Sequence, residues 1–115
     1  MFCRLADCRD GLLDVSIADI DAGNQRVSSQ LRVNGVDELQ VMASTAAFPI
    51  CRDCAKYYAL FVCASRTIDL ETPLSSKIEY YRRLYEDTLK MLTNAGLGLN
   101  SDIRTAFMTI DTTRA

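Results

Sequence analysis

One segment constrains the fold of this chain more than any other, the stretch from Pro49 to about Thr67. Pro49 fits the first turn of a helix, where its missing N–H would have no helical partner. From Ala55 to Ala64 the helix that follows is apolar on nearly every side. Such a helix lies at the centre of a bundle or is buried between subunits. The run is also about half the length needed to cross a bilayer. The expectation is therefore a packed helical core.

Two further helices flank it. The first is expected over about Ser16 to Asn34, with Ile17, Ile20, Val27 and Leu31 as its apolar stripe. Ser16 and Asp19 have the spacing of a capping box, and Arg32 suits the other end of the dipole. Gly35 then stands where a left-handed residue closes a helix, and Gly23 marks a weak point or a close contact. The third is expected to start with Ser76 as cap, because Ser76-Lys77-Ile78-Glu79 repeats the S-x-x-E pattern. Its stripe is Ile78, Tyr81, Tyr85, Leu89 and Leu92, and Asn94-Ala95-Gly96 ends it.

Beyond Gly96 the pattern changes. Leu97 to Asn100 reads as irregular, and Ile103 to Ile110 is rich in Thr and β-branched residues. Ile103, Thr105, Phe107 and Thr109 alternate with Arg104, Ala106, Met108 and Ile110, the period of a strand. A lone strand cannot satisfy its own backbone groups, so its partner would be another strand here or on a neighbour.

The 115 residues make one domain's worth of chain, and 49% apolar content suffices for a core. Net charge is −2, from 13 basic and 15 acidic residues, so no pull toward nucleic acid or anionic membrane is visible. The sequence contains no His, which removes most hydrolase triads, His-metal centres and near-neutral proton shuttles. No glycine-rich phosphate loop exists, since Gly96-Leu97-Gly98 follows a helix. Asp14, Asp19, Asp21, Asp69 and Glu71 read as capping and solvation at helix ends rather than paired catalytic acids. Tyr57, Tyr58, Tyr80, Tyr81 and Tyr85 fit two helices packing together rather than a stacking platform. The expectation is a chain that is not an enzyme and needs no cofactor.

The start, Met1 to Cys8, lacks the basic residues and apolar stretch of a secretory signal. A soluble chain made in the cytoplasm, with its five cysteines as free thiols, is expected. Cys51 and Cys54 form a C-x-x-C, and Cys3 and Cys8 a C-x4-C. Four thiolates can close a tetrahedral zinc site, so Cys3, Cys8, Cys51 and Cys54 are the candidate metal set. Cys51 and Cys54 fall near a helix start and not on tight knuckles, which favours small buried thiols instead. The helix N-terminus could lower the pKa of Cys51, and Cys63 reads as packing.

The order of these features resembles the small head–tail adaptor (connector) proteins of tailed bacteriophages. The corresponding segments are Ile17-Ala18-Asp19-Ile20-Asp21-Ala22 to Leu31, Phe48-Pro49-Ile50 to Ala64, and Lys77 to Leu92 with its Tyr85, Leu89 and Leu92. The likeness covers Ile17 to Leu99 and is one of helix pattern, and the cysteines depart from it. It implies a helical subunit forming a ring, typically of twelve copies, that docks beneath the portal and seats the next neck or stopper protein. DNA would pass through its channel without sequence-specific binding, and the place of work would be the virion neck.

The expected architecture is mainly α: a small bundle of three to four helices over residues 1–99, with an extended arm over 100–115. The arm would add a strand to a neighbour, with Ile103, Phe107, Met108 and Ile110 as partner-binding residues. A neck stopper or tail-completion protein is the nearest alternative. A small cytosolic helical regulator, responsive to zinc or redox state, is the alternative from another class.

Overall fold

The computed structural model of the chain describes residues 2–8, 10, 13–66 and 73–99 (of 73–75, the backbone alone). Among these residues four α-helices follow one 3-10 turn at Leu5–Asp7: α1 over Ile17–Val33, α2 over Glu38–Ala43, α3 over Ala47–Arg66 and α4 over Pro73–Leu89. Among the described residues there is no strand, and no helix is long and apolar enough to cross a membrane. The expected arm, with Ile103, Phe107, Met108 and Ile110, lies outside the described residues.

The helix α1 begins and ends on local chemistry. Ser16 Oγ accepts from Asp19 N–H at 3.3 Å, and Asp19 Oδ2 accepts from Ser16 N–H at 3.0 Å, which closes the capping box. At the other end Gly35 has φ +71°, a left-handed conformation that costs an L residue with a Cβ about 1 kcal/mol. Val36 N–H then reaches Leu31 O at 2.9 Å and Gly35 N–H reaches Arg32 O at 3.1 Å, a Schellman closure. Val36 and Leu31 are both buried, so the closure also seals the corner with an apolar contact.

The central element is α3, packed against α1, α2 and α4. Ala55, Ala59, Leu60, Cys63 and Ala64 of its apolar run are buried in the chain's own bundle, whereas Tyr57, Tyr58, Phe61 and Val62 are half-buried. Where α1 crosses it, Gly23 lies against the Ala55 carbonyl and Ala59, and a Cβ at Gly23 would stand 2.3 Å from the Ala55 oxygen. Small residues thus set how closely the two helices approach. Gly23 is a close-contact position.

The structure corrects several details of the sequence reading. Ile17 is 61% exposed, because Gly23 rather than Ile17 completes the inward stripe with Ile20, Val27 and Leu31. The short helix α2 was not anticipated; Asp37 caps it by accepting from Leu39 N–H at 3.1 Å, and Val41 is its inward anchor. The helix α4 starts at Pro73, so Ser76 is inside it rather than its cap. Glu79 accordingly pairs with Arg82 at 2.8 Å instead of reaching back to a cap. The same helix ends at Leu89, after which Leu92 and Leu97 turn back into the core. Asn34 Nδ2 holds that return by donating to Leu92 O at 2.6 Å. Leu97 and Gly98 belong to a further closed turn, in which Leu99 N–H reaches Asn94 O at 2.9 Å.

Candidate functional site

The segment before α1 is held down by α1 and α4 rather than by structure of its own. Asn24 on α1 accepts from Phe2 N–H at 2.7 Å and Cys3 N–H at 2.9 Å, and donates to Cys3 O at 3.1 Å. One side-chain amide therefore satisfies three backbone groups at the start of the segment. Phe2 is buried and meets Phe48 of α3 with ring centroids 6.2 Å apart. Arg4 N–H donates to Asp7 Oδ2 at 2.9 Å, and Cys8 N–H to Leu5 O at 3.1 Å, which bends the chain through the 3-10 turn.

That bend brings Cys3 and Cys8 together, with their sulfurs 4.0 Å apart and both side chains buried. The Cys8 S–H donates to Cys3 Sγ. This favours the Cys3 anion and lowers its pKa below the ordinary thiol value, whereas it holds the Cys8 proton on and raises that pKa. Lys56 of α3 favours the anion at both sulfurs, and Asp7 opposes it. Cys8 also lines an open cleft of about 660 Å³ with Leu5, Ala6, Asp10, Leu13, Asp14 and Val15.

Beside the cleft, Asp10 accepts from Lys77 Nζ at 2.8 Å and from the Tyr81 hydroxyl, tying the segment to α4. Burial first, and then the Asp10 carboxylate, push the Tyr81 phenol well above its ordinary value. On the far side of α1, Arg26 Nε donates to the Tyr85 oxygen at 2.7 Å and stands 5.8 Å from the centre of the Tyr58 ring. Tyr58 and Tyr85 meet at 4.9 Å. Tyr58 and Tyr85 thus join α3 to α4 as expected of packing helices, with Arg26 reaching across from α1, whereas Tyr80 is 54% exposed.

The candidate metal set is divided. Cys3 and Cys8 adjoin one another, but Cys51 and Cys54 lie one turn apart on α3. Among the described residues no group of three or more His, Cys, Asp or Glu is placed to hold a metal ion. Cys51 also corrects the expectation of a thiol eased by the helix N-terminus. It lies in the second turn, fully buried, and burial pushes its pKa up to about 12. Burial raises Cys54 likewise, to about 11. Cys63 is buried as expected, but it also sits near a pair that sequence reasoning missed. Asp19, buried beneath its capping role, accepts from Arg66 Nη2, which also lies 3.5 Å from Cys63 Sγ.

Several apolar side chains stay outside the core. Val33 at the end of α1 and Leu39 on α2 are each 78% exposed, and Met42, one turn from Leu39, is 41% exposed. No protein-family model, curated protein or solved structure matches this chain.

Proposed function

We propose that this chain is a structural subunit of a bacteriophage neck, a head–tail adaptor that forms a ring on the portal and seats the next neck protein. The observation that carries the reading is the order of elements: a capped α1, an apolar α3 at the bundle centre with Pro49 in its first turn, and a Tyr/Leu-striped α4. That order is the one in which the sequence resembles the adaptor family.

Two features of the body support it. The most apolar helix packs one face into the chain's own core, and Val33, Leu39 and Met42 remain exposed around the α1–α2 corner. Apolar side chains left out in this way suit contacts between copies. The described body closes with the turn at Leu99, and residues 100–115 follow it in the sequence. In our reading those residues form an arm, with Ile103, Phe107, Met108 and Ile110 of its sequence as apolar anchors for strand addition to a portal or ring neighbour. Phosphate-tracking charge is lacking overall, as suits a channel through which DNA slides.

Co-sedimentation with the portal protein of the same phage tests the reading. The chain should move to the mass of a portal-bound ring. A chain that remains free beside assembled portal, with its residues 100–115 intact, would overturn it. A monomer in the absence of portal is compatible, because a ring of weak contacts closes on its template.

A further inference from the structure

We propose that Cys3 and Cys8 are an oxidative modification site: a dithiol that a hydroperoxide converts into an intramolecular disulfide across the Leu5–Asp7 turn. The inference stands independently of the neck reading and rests on the placement of the two sulfurs.

Their separation of 4.0 Å must shrink to about 2 Å, the length of a sulfur–sulfur bond. The two residues flank a short 3-10 turn, and they belong to a segment held by side chains rather than locked inside a helix. A small movement of that segment is enough. The cleft beside Leu5, Asp10 and Leu13 reaches the pair at Cys8, and the same movement of the segment must open a path to Cys3, which is buried behind it.

The remaining cysteines lack this arrangement. Cys51 and Cys54 are fixed on consecutive turns of the most buried helix, and both keep their protons because burial disfavours the thiolate. Cys63 is kept protonated by burial and by the neighbouring Asp19 carboxylate. In the Cys3–Cys8 pair the hydrogen bond separates the roles: Cys8 is the proton donor, and Cys3 is the sulfur whose thiolate that donor favours.

The chemistry balances with one peroxide. The Cys3 thiolate attacks a peroxide oxygen, the O–O bond breaks, and Cys3 becomes a sulfenic acid. The departing hydroxide takes the Cys8 proton and leaves as water. The Cys8 thiolate then attacks the Cys3 sulfur, the S–S bond forms and the S–O bond breaks. The second hydroxide takes up the proton that Cys3 released on ionising. Both sulfurs are oxidised, and the peroxide is reduced to two waters.

The test exposes the native full-length chain to hydrogen peroxide, then unfolds it in an alkylating reagent and digests it with trypsin. Cleavage after Arg4 and Arg9 puts Cys3 and Cys8 on separate peptides. The expected result is one cross-linked pair of those peptides, lighter by two hydrogens, with alkylation lost at both cysteines and restored by dithiothreitol. Cys51, Cys54 and Cys63 should stay fully alkylated, and a Cys3→Ser chain should yield no cross-link from Cys8. Continued alkylation of Cys3 and Cys8, pairing of either with another cysteine, or oxidation to sulfinic acid without a cross-link would each overturn the proposal.

Discussion

Asn24 and Cys3 are paired edge to edge, the Cys3 N–H donating to Asn24 Oδ1 at 2.9 Å and Asn24 Nδ2 donating to the Cys3 carbonyl at 3.1 Å. The amide imitates one rung of a sheet and, with its bond from Phe2 N–H, clasps the N-terminal segment to α1. Asn24→Ala removes partners from three half-buried backbone groups and should cost roughly 2 kcal/mol. Urea unfolding gives the magnitude. Alkylation of Cys3 in the native state should also accelerate, as the segment lifts away; an unchanged rate with an unchanged midpoint would show that the clasp contributes nothing.

At the α1–α3 crossing, Gly23→Ala should destabilise, against the ordinary rule for an exposed helix. Ala normally gains about 1 kcal/mol over Gly inside a helix. Here the new methyl would stand 2.3 Å from the Ala55 carbonyl oxygen, which is backbone and yields only if the helices part. Overpacking of this kind costs roughly 1–3 kcal/mol, measurable as a lowered thermal midpoint. A raised midpoint would mean that the two helices are not pinned at this distance.

How far these features could be read in advance varies from element to element. Both ends of α1 were legible, because Ser16, Asp19 and Gly35 each act within one turn of chain. The central position of α3 was equally legible, since a helix apolar on nearly every side must be covered. The start of α4 was misplaced because S-x-x-E spacing also occurs inside helices, and Pro73 at a helix start is the stronger local signal. The six residues of α2 are too few to show a period, and only Asp37 with a lone inward Val41 announced it. At the candidate site the Cys3 and Cys8 spacing was visible. The Asn24 clasp was not, because its partners lie 21 and 22 residues away and nothing local marks them. The same distance effect hid the Asp19–Arg66 pair, which joins α1 to the end of α3.

Alkaline pH should loosen the bundle through Cys51 and Cys54. Their ordinary value of 9.0 is raised to about 12 and about 11 by burial, so the folded chain holds these protons more tightly than the unfolded one. The stability they contribute is full below pH 9 and is lost as pH rises through 11 and 12. Tyr81 and Tyr85, raised by burial too, act in the same direction. The urea midpoint should fall from pH 9 to pH 11, and less steeply in a Cys51→Ala, Cys54→Ala chain. Equal slopes in the two chains would contradict this assignment.

Elemental analysis should find no stoichiometric zinc, and a chelator should leave the helical circular dichroism unchanged. The two thiol pairs remain separate, and neither gains a third ligand among the described residues. One zinc per chain, lost together with folding, would instead favour the regulator considered from the cysteine pattern.

The neck assignment turns most directly on residues 100–115. A chain ending at Leu99 keeps the four described helices, so its circular dichroism should show that the helical body remains folded. Its incorporation into phage particles, measured by quantitative mass spectrometry of purified virions from a complemented deletion, is the decisive quantity. The account predicts that the full chain restores a neck ring while the shortened chain folds but is missing from particles. Normal incorporation of the shortened chain, or particles that assemble and infect with neither, would contradict it.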